Sequence, residues 1–330
     1  MYPRPREKCR FNANVSAVSG PVQHVFAGIA ERVTDLLYVW RPGGGMLTSR
    51  SVLSRRRFLA AFPAALPAPA KPKFKAGLEI YSLRGQAEKD LPATLAMIRK
   101  LGFIEVEVSA LYGRSAAEFR RLLDNNGLQA TSMMAEYDRL AKSAGSAADD
   151  ANTLGAEYVV CGTLPHRKKH LGVEDCKPAA EKLNRWGESL LQHRLHCCYH
   201  THGIEFDRSA DGTVFDTLAK SCDPQLANFE MDIFWIVFAY QDPVKLLHKY
   251  PGRFPLMHVK DIRRDTALGG SPGDVREEAS VPLGKGIVDI PAALRAAQET
   301  GVRHYYIEDE AVDADRQLPE SLRYLDSLHL

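Results

Sequence analysis

The chain of 330 residues has no CxxC pair, no glycine-rich phosphate loop, no full Walker spacing and no apolar run long enough to anchor stably in a bilayer. Each absence excludes something. Without cysteines at ligand spacing, Cys9, Cys161, Cys176, Cys197, Cys198 and Cys222 read as small buried hydrophobes, not as a zinc site or disulfide staples. Without a Gly-rich turn after an early strand, a doubly wound dinucleotide fold is the poorer of two α/β readings; GLEIYSLRG at 77–85 is no such turn. Gly284-Lys285-Gly286 resembles a phosphate loop only in composition and reads as a turn before a helix.

Excess positive charge is lacking too. The formal net charge is +2, but the first 70 residues hold ten Lys/Arg against three Asp/Glu, which leaves the remainder at −5. A mildly acidic body opposes non-specific nucleic-acid binding, which needs a basic face. The run Arg167-Lys168-Lys169-His170 reads as a solvated loop. Hydrophobic residues make up 45% and charged residues 25%, the balance of a globular protein whose core needs no staples.

Residues 1–45 show no convincing periodicity and read as an over-extended or disordered start, with Met46 a plausible initiator. Residues 46–70 read as an export signal. Ser54-Arg55-Arg56-Arg57-Phe58-Leu59 matches the twin-arginine pattern, a short apolar stretch runs to Leu66, and Ala68-Pro69-Ala70 supplies an A-x-A cleavage site. The expectation is passage through the twin-arginine translocase to the periplasm or exterior, without stable membrane insertion.

From residue 71 onward one domain is expected. Apolar runs at 77–83, 103–108, 128–133, 157–161, 195–200, 226–232, 254–260 and 304–308 alternate with helical patterns at 90–101, 115–126, 137–154, 173–191, 215–221, 243–249, 290–300 and 319–328. Ser115 and Glu118 have capping-box spacing, and Gly102 and Gly127 sit where helices should close. Eight β/α units over about 250 residues predict a single-domain (β/α)8 TIM barrel. Such a barrel places its chemistry at the C-terminal strand ends, and those ends are polar here: Arg84, Glu107, His200, Asp232, His258 with Lys260, and Glu308.

The stretch 229–261 organises the rest. Residues i and i+2 of a strand share a face, so Glu230 and Asp232 point one way from their strand, and His258 and Lys260 one way from theirs. Two parallel strands joined by a helix bring the carboxylate and the imidazole to one end of the sheet. An Asp buried at an apolar strand end needs a cation beside it. Trp235, just past Asp232, is placed to stack on a sugar face. Glu308 leaves its register open by one, because Asp309 and Glu310 follow.

Taken together, Ile80-Tyr81-Ser82-Leu83-Arg84, Val106-Glu107, Tyr199-His200-Thr201-His202 with Glu205-Phe206, Asp232 with Trp235, His258-Val259-Lys260-Asp261, Gly284-Lys285-Gly286 and Ile307-Glu308-Asp309 resemble the sugar phosphate isomerase/epimerase family of xylose isomerase-like barrels. The resemblance spans 77–330. It implies one divalent metal, Mn, Co, Zn or Fe, held by His200, Asp232, His258 and Glu308, and a carbohydrate substrate. His202 or Glu205 could replace His200, because many relatives carry Glu on strand five. Glu308, Glu107 and Lys260 are the candidates for moving protons and balancing charge beside a carbonyl. Arg84, His202, Glu205, Trp235 and Lys260 are candidates for touching substrate.

Two departures qualify the resemblance: Met133-Met134 stand where relatives often have His, and Thr201 where they often have Asn. The expected activity is an isomerase or epimerase. Lyase or dehydratase chemistry, a non-catalytic sugar-binding protein and an endonuclease IV-like repair enzyme are the competitors, and a homo-oligomer is left open.

Overall fold

Eight short parallel strands close on themselves to form a barrel. The computed structural model describes residues 74–166, 170–210, 212–270 and 272–330; the export segment, Cys9 and Arg167–Lys169 lie outside them. The strands are β1 Gly77–Glu79, β2 Glu105–Val108, β3 Gln129–Ala135, β4 Tyr158–Cys161, β5 His196–His200, β6 Ala227–Asp232, β7 Leu256–Val259 and β8 His304–Ile307. Each pairs with its sequence neighbours, and β1 pairs with β8 to complete the circle. The helices are α1 Arg84–Lys89, α2 Leu91–Leu101, α3 Ala116–Asn126, α4 Tyr137–Leu154, α5 Val173–Gln192, α6 Val214–Ser221, α7 Ile233–Phe238, α8 Pro243–Lys249, α9 Ile290–Thr300 and α10 Ala314–Ser327.

Alternation along the strands sorts the residues. Leu78, Val106, Val108, Val159, Cys197, Tyr199, Phe229, Met231, Met257, Val259 and Ile307 face the helices and form the large outer core. Tyr158, Val160, Cys198, Leu256 and Tyr306 form a smaller cluster, the barrel floor, with Met134 packed against it. Gly77 belongs to this floor because a Cβ there would lie 2.8 Å from the Glu105 carbonyl oxygen and 2.9 Å from the Tyr306 ring. Pairing shifts between Val106 and Glu107 as β2 meets β3. The bulge turns adjacent residues inward: Thr131 hydrogen-bonds the Tyr306 hydroxyl at 2.7 Å, and Ser132 donates to Glu107.

The expected boundaries hold to within two residues for most elements. The Ser115–Glu118 capping box forms, and Gly102 and Gly127 close their helices with φ of +107° and +63°. Four elements differ, among them the short helix α1, Arg84–Lys89, for which no helical pattern was expected. The first strand stops at Glu79, not Leu83, because the Glu79 carboxylate accepts from the Tyr81 amide and turns the chain into a 3-10 helix. Its apolar pattern continues because Ile80 and Leu83 are buried under helices. The last helix begins at Ala314, five residues before Pro319, which sits in its second turn. Helix α7 directly follows Asp232, whose Oδ1 accepts from the amides of Phe234 and Trp235 at 2.8 and 3.3 Å. A cap of this kind contributes about 1 kcal/mol. The five cysteines among the described residues are free and buried. No helix among the described residues is long and apolar enough to cross a membrane.

Candidate active site

Strands β5 to β8 deliver His200, Asp232, His258, Lys260 and Glu308 to the C-terminal end of the barrel, all at most 7% exposed. Barrel register does this: Asp232 is the Cα partner of His258 across β6 and β7, and His200 is the partner of Glu230 across β5 and β6. Asp232 Oδ2 lies 3.9 Å from both His200 Nε2 and His258 Nδ1, and 3.6 Å from Lys260 Nζ. Glu308 Oε2 lies 3.0 Å from His258 Nδ1 and 3.0 Å from Lys260 Nζ. One donor atom each of Asp232, His258 and Glu308 lie within 4.8 Å of one another, as do those of His200, Glu230 and His258 and those of Glu79, Glu107 and His258.

The rest of the shell fixes which nitrogen of each imidazole faces Asp232. His200 Nδ1 is 2.8 Å from Glu230 Oε2, so a proton there leaves the Nε2 lone pair facing Asp232. His258 Nε2 is 2.6 Å from Glu107 Oε2 and its Nδ1 is 3.0 Å from Glu308 Oε2; burial opposes its charge, but Glu230, Glu308 and Glu107 outweigh it and hold the imidazole protonated, so an ion bound at Nδ1 would take the place of that proton. Carboxylates placed behind histidines in this way orient ligating imidazoles. Asp232 Oδ2 itself is buried and accepts no hydrogen bond. Donors about 3.4 Å apart are what a tetrahedral ion with bonds of about 2.1 Å needs. The 3.0 and 3.9 Å separations bracket that spacing, so the residues fit a divalent metal.

Charge points the same way. Glu79, Glu107, Glu230, Asp232 and Glu308 are buried together, and Lys260 is the one lysine among them. Burial, aided by His258, pushes the His200 imidazole down to about 3, so it is neutral and able to ligate. Burial and the neighbouring His200 likewise hold His202 neutral. Burial opposes the charge on Lys260, but Glu308, Glu310 and Asp232 outweigh it and hold the ammonium protonated. Burial also opposes ionisation of Glu308, yet Lys260 and His258 outweigh it and keep the carboxylate charged. Glu79 goes the other way: burial and Glu107 raise its carboxyl well above the usual range.

Above this cluster opens a cavity of about 520 Å³, lined on one side by Glu79, His200, His202, Trp235, Glu308 and Glu310. The register at the end of β8 is thereby resolved. Glu308 turns inward and Glu310 reaches Lys260, whereas Asp309 accepts from the Ala311 amide.

Three expected site residues stand off the cavity. Glu107 is inside the cluster, fully buried and 2.6 Å from His258, but does not line the cavity. Glu205 accepts from the Tyr199 hydroxyl on the helix side of β5, because Tyr199 alternates outward from His200. Arg84 stands at the rim, donating to Glu277 at 2.6 Å and to the Glu310 carbonyl. Glu79, Glu230, Ser132 and Glu310 belong to the site and are missing from the candidates drawn from sequence. Alternation with Leu78 could have found Glu79, and Glu230 shares the face of Asp232.

The family of xylose isomerase-like TIM barrels matches residues 95–328. This chain belongs to that family. Among solved members of the fold, a sugar phosphate isomerase/epimerase from Parabacteroides distasonis ATCC 8503 is 26% identical with a TM-score of 0.64, covering 81% of this chain and 98% of its own. The IolI protein, solved with a zinc atom, shares the barrel with a TM-score of 0.59 and 13% identity, covering 76% and 96% of the two chains. An inosose dehydratase from Geobacillus kaustophilus is 27% identical over 193 residues, 52% of this xylose isomerase-like barrel chain and 62% of the relative. The match to that relative therefore spans about three fifths of its length.

Proposed function

We propose that this protein is a divalent-metal-dependent carbohydrate enzyme that removes a proton beside a carbonyl of a sugar, keto-sugar or cyclic polyol ketone, and completes the reaction as a lyase. The observation that carries the reading is the grouping of donor atoms of Asp232, His258 and Glu308 within 4.8 Å of one another, with His200 beside them and Asp232 Oδ2 left without a hydrogen bond. These residues would hold the ion, which supplies Lewis acidity toward a carbonyl or vicinal hydroxyl. Zinc is the first ion to test, with Mn, Co and Fe as the others that two imidazoles and two carboxylates suit.

The chain's own groups do the remaining work. Glu308 lines the cavity as a carboxylate and takes the proton. Lys260, fixed against Glu308 and Asp232, offers a positive charge to the oxygen that gains electron density. Glu79 lines the same cavity with its carboxyl held neutral, so it can donate to a departing hydroxyl or alkoxide. An acid and a base in one cavity, held in opposite protonation states, are what an elimination needs. The names of the inosose dehydratase relatives support elimination. The Parabacteroides likeness supports a second reading, isomerisation or epimerisation, which begins with the same proton abstraction.

The test is proton NMR in D2O with an inosose and a panel of keto-sugars, after loading Zn, Mn, Co or Fe. Metal-dependent loss of the C–H signal next to the carbonyl is expected, with new vinylic signals marking elimination. Exchange without vinylic product would favour the epimerase reading. No exchange with any of the ions contradicts both.

We propose in addition that the chain is exported by the twin-arginine translocase. The support is the Ser54–Leu59 pattern with Ala68-Pro69-Ala70, which lie outside the described residues. Changing Arg55 and Arg56 to Lys should trap the protein in the cytoplasm, and unchanged fractionation contradicts this.

A further inference from the structure

The cavity of about 520 Å³ reaches across the mouth, from the ionised cluster to the ends of β2, β3 and β4. Register sets what stands at that distal side. Val108 is the Cα partner of Met133, and Ala135 of Cys161, so the residues just past these strand ends emerge side by side. They are Ser109, Glu136 and Gly162-Thr163, and all of them line the cavity. Glu136 and Thr163 are exposed. The Glu136 carboxylate makes no cap bond to α4, so the helix does not consume it. Met134 and Leu111, both half-buried, line the cavity among these polar groups. Gly162 keeps the space beside Met134 open, because a Cβ there would meet only the Met134 methyl, at 3.9 Å.

The distal side is therefore an apolar patch edged by hydrogen-bonding groups, and it carries no free cation. Arg139 is the one Arg or Lys side chain among the described residues that line the cavity. Its guanidinium is already committed to Asp150 at 2.5 Å and to the Ser146 carbonyl at 2.9 Å. A phosphate is recognised by unspent guanidinium or ammonium groups, and here it would meet Glu136 instead. A neutral pyranose has the opposite needs. Its C–H face lies well on an apolar patch, and its hydroxyl edge wants donors and acceptors together. Serine and threonine hydroxyls supply either, and a carboxylate accepts. The volume is in the range that encloses drug-sized molecules and exceeds what a single hexose ring fills.

We infer that the substrate is an unphosphorylated disaccharide or longer glycoside. One ring sits at the ionised half, where the chemistry occurs. The next lies against Met134 and Leu111, with its hydroxyls bonded to Ser109, Glu136 and Thr163. This inference rests on the carbohydrate reading above. It makes Glu136 and Thr163 specificity-determining residues that take no part in the chemistry.

The test is calorimetric titration of the zinc-loaded full-length chain with glucose, glucose 6-phosphate, maltose, cellobiose, lactose and sucrose. At least one disaccharide should bind about tenfold or more tighter than glucose, through added hydrogen bonds and ring contact, and glucose 6-phosphate should not match it. Glu136→Gln and Thr163→Val, both at exposed positions, should each lower that disaccharide-to-glucose ratio by about fivefold, with the fold retained by circular dichroism. The visible absorption of cobalt-loaded protein reports separately on the ring at the ionised half. A cobalt response to every sugar, with disaccharides no tighter than glucose, overturns the inference and leaves the carbohydrate reading standing. A disaccharide preference that both variants reduce, without any cobalt response, supports the distal subsite and contradicts the metal-centred chemistry. Glucose 6-phosphate tighter than every disaccharide overturns the inference, as does a ratio that neither variant moves. Silence from all six probes overturns both readings.

Discussion

The two halves of the barrel mouth are built by the same strand periodicity and do opposite things with it. Strands β5 to β8 end in His200, Asp232, His258 with Lys260, and Glu308, each touching at least one other. Strands β2 to β4 end in Val108, Met133-Met134-Ala135 and Cys161, and the residues that follow them at the cavity, Ser109, Glu136 and Thr163, are polar. The first half is buried and tolerates it only because its charges face one another, whereas the second is partly open, with Met134 and Gly162 half-buried. The difference teaches that a barrel mouth can gather buried charge on one side, where low dielectric strengthens every interaction, while the other side stays open and polar. The excess of carboxylates over cations is what a divalent ion would relieve.

The largest expected effect breaks the charged half. Asp232→Ala removes a helix cap together with a buried carboxylate that lies 3.6 Å from the Lys260 ammonium. Loss of one partner in a buried ionic cluster costs about 3–5 kcal/mol. Ser109→Ala, on the rim of the opposite half, should change stability by less than about 0.5 kcal/mol. Urea denaturation of the two variants side by side checks the contrast, and equal midpoints would dissolve it.

Moving charge across the mouth comes next. Met134→Glu places a carboxylate on the opposite wall at a cost of about 1–3 kcal/mol, while metal content stays as in the parent. Lys260→Met keeps the stem and removes the ammonium. It should lower kcat/KM on a substrate found by the exchange assay by about a hundredfold, about 2.7 kcal/mol of transition-state stabilisation, with the metal retained. Retained activity in that variant would remove Lys260 from the mechanism. The smallest effect belongs to the rim. Arg84 and Glu277 are paired at 2.6 Å but partly exposed, so Arg84→Ala should shift stability by about 1 kcal/mol or less, and less still in high salt.

The fold was legible because buried parallel strands and amphipathic helices carry different periods, and because helix ends such as Ser115-x-x-Glu118 and Gly127 announce themselves. The charged half was legible for a related reason: in β7 the i, i+2 rule placed His258 and Lys260 on one face. Glu79 was hidden because the apolar run continues past it to Leu83, which masks the turn. Glu230 could be assigned to the face of Asp232, but its contact with His200 depends on the register between β5 and β6. Glu205 misled because it lies beyond the strand end, where alternation no longer says where a side chain points. The bulge at Thr131 is also invisible in sequence, since it arises from pairing.

The most direct test of the account is the metal content of the purified full-length chain beside His258→Ala. The account predicts close to one Zn, Mn, Co or Fe per chain in the parent and its loss in the variant, with the fold retained by circular dichroism. No metal after reconstitution, or the same content in the variant, would contradict a metal centre on β5 to β8. Several ions per chain would point instead to a multi-metal nuclease-like centre.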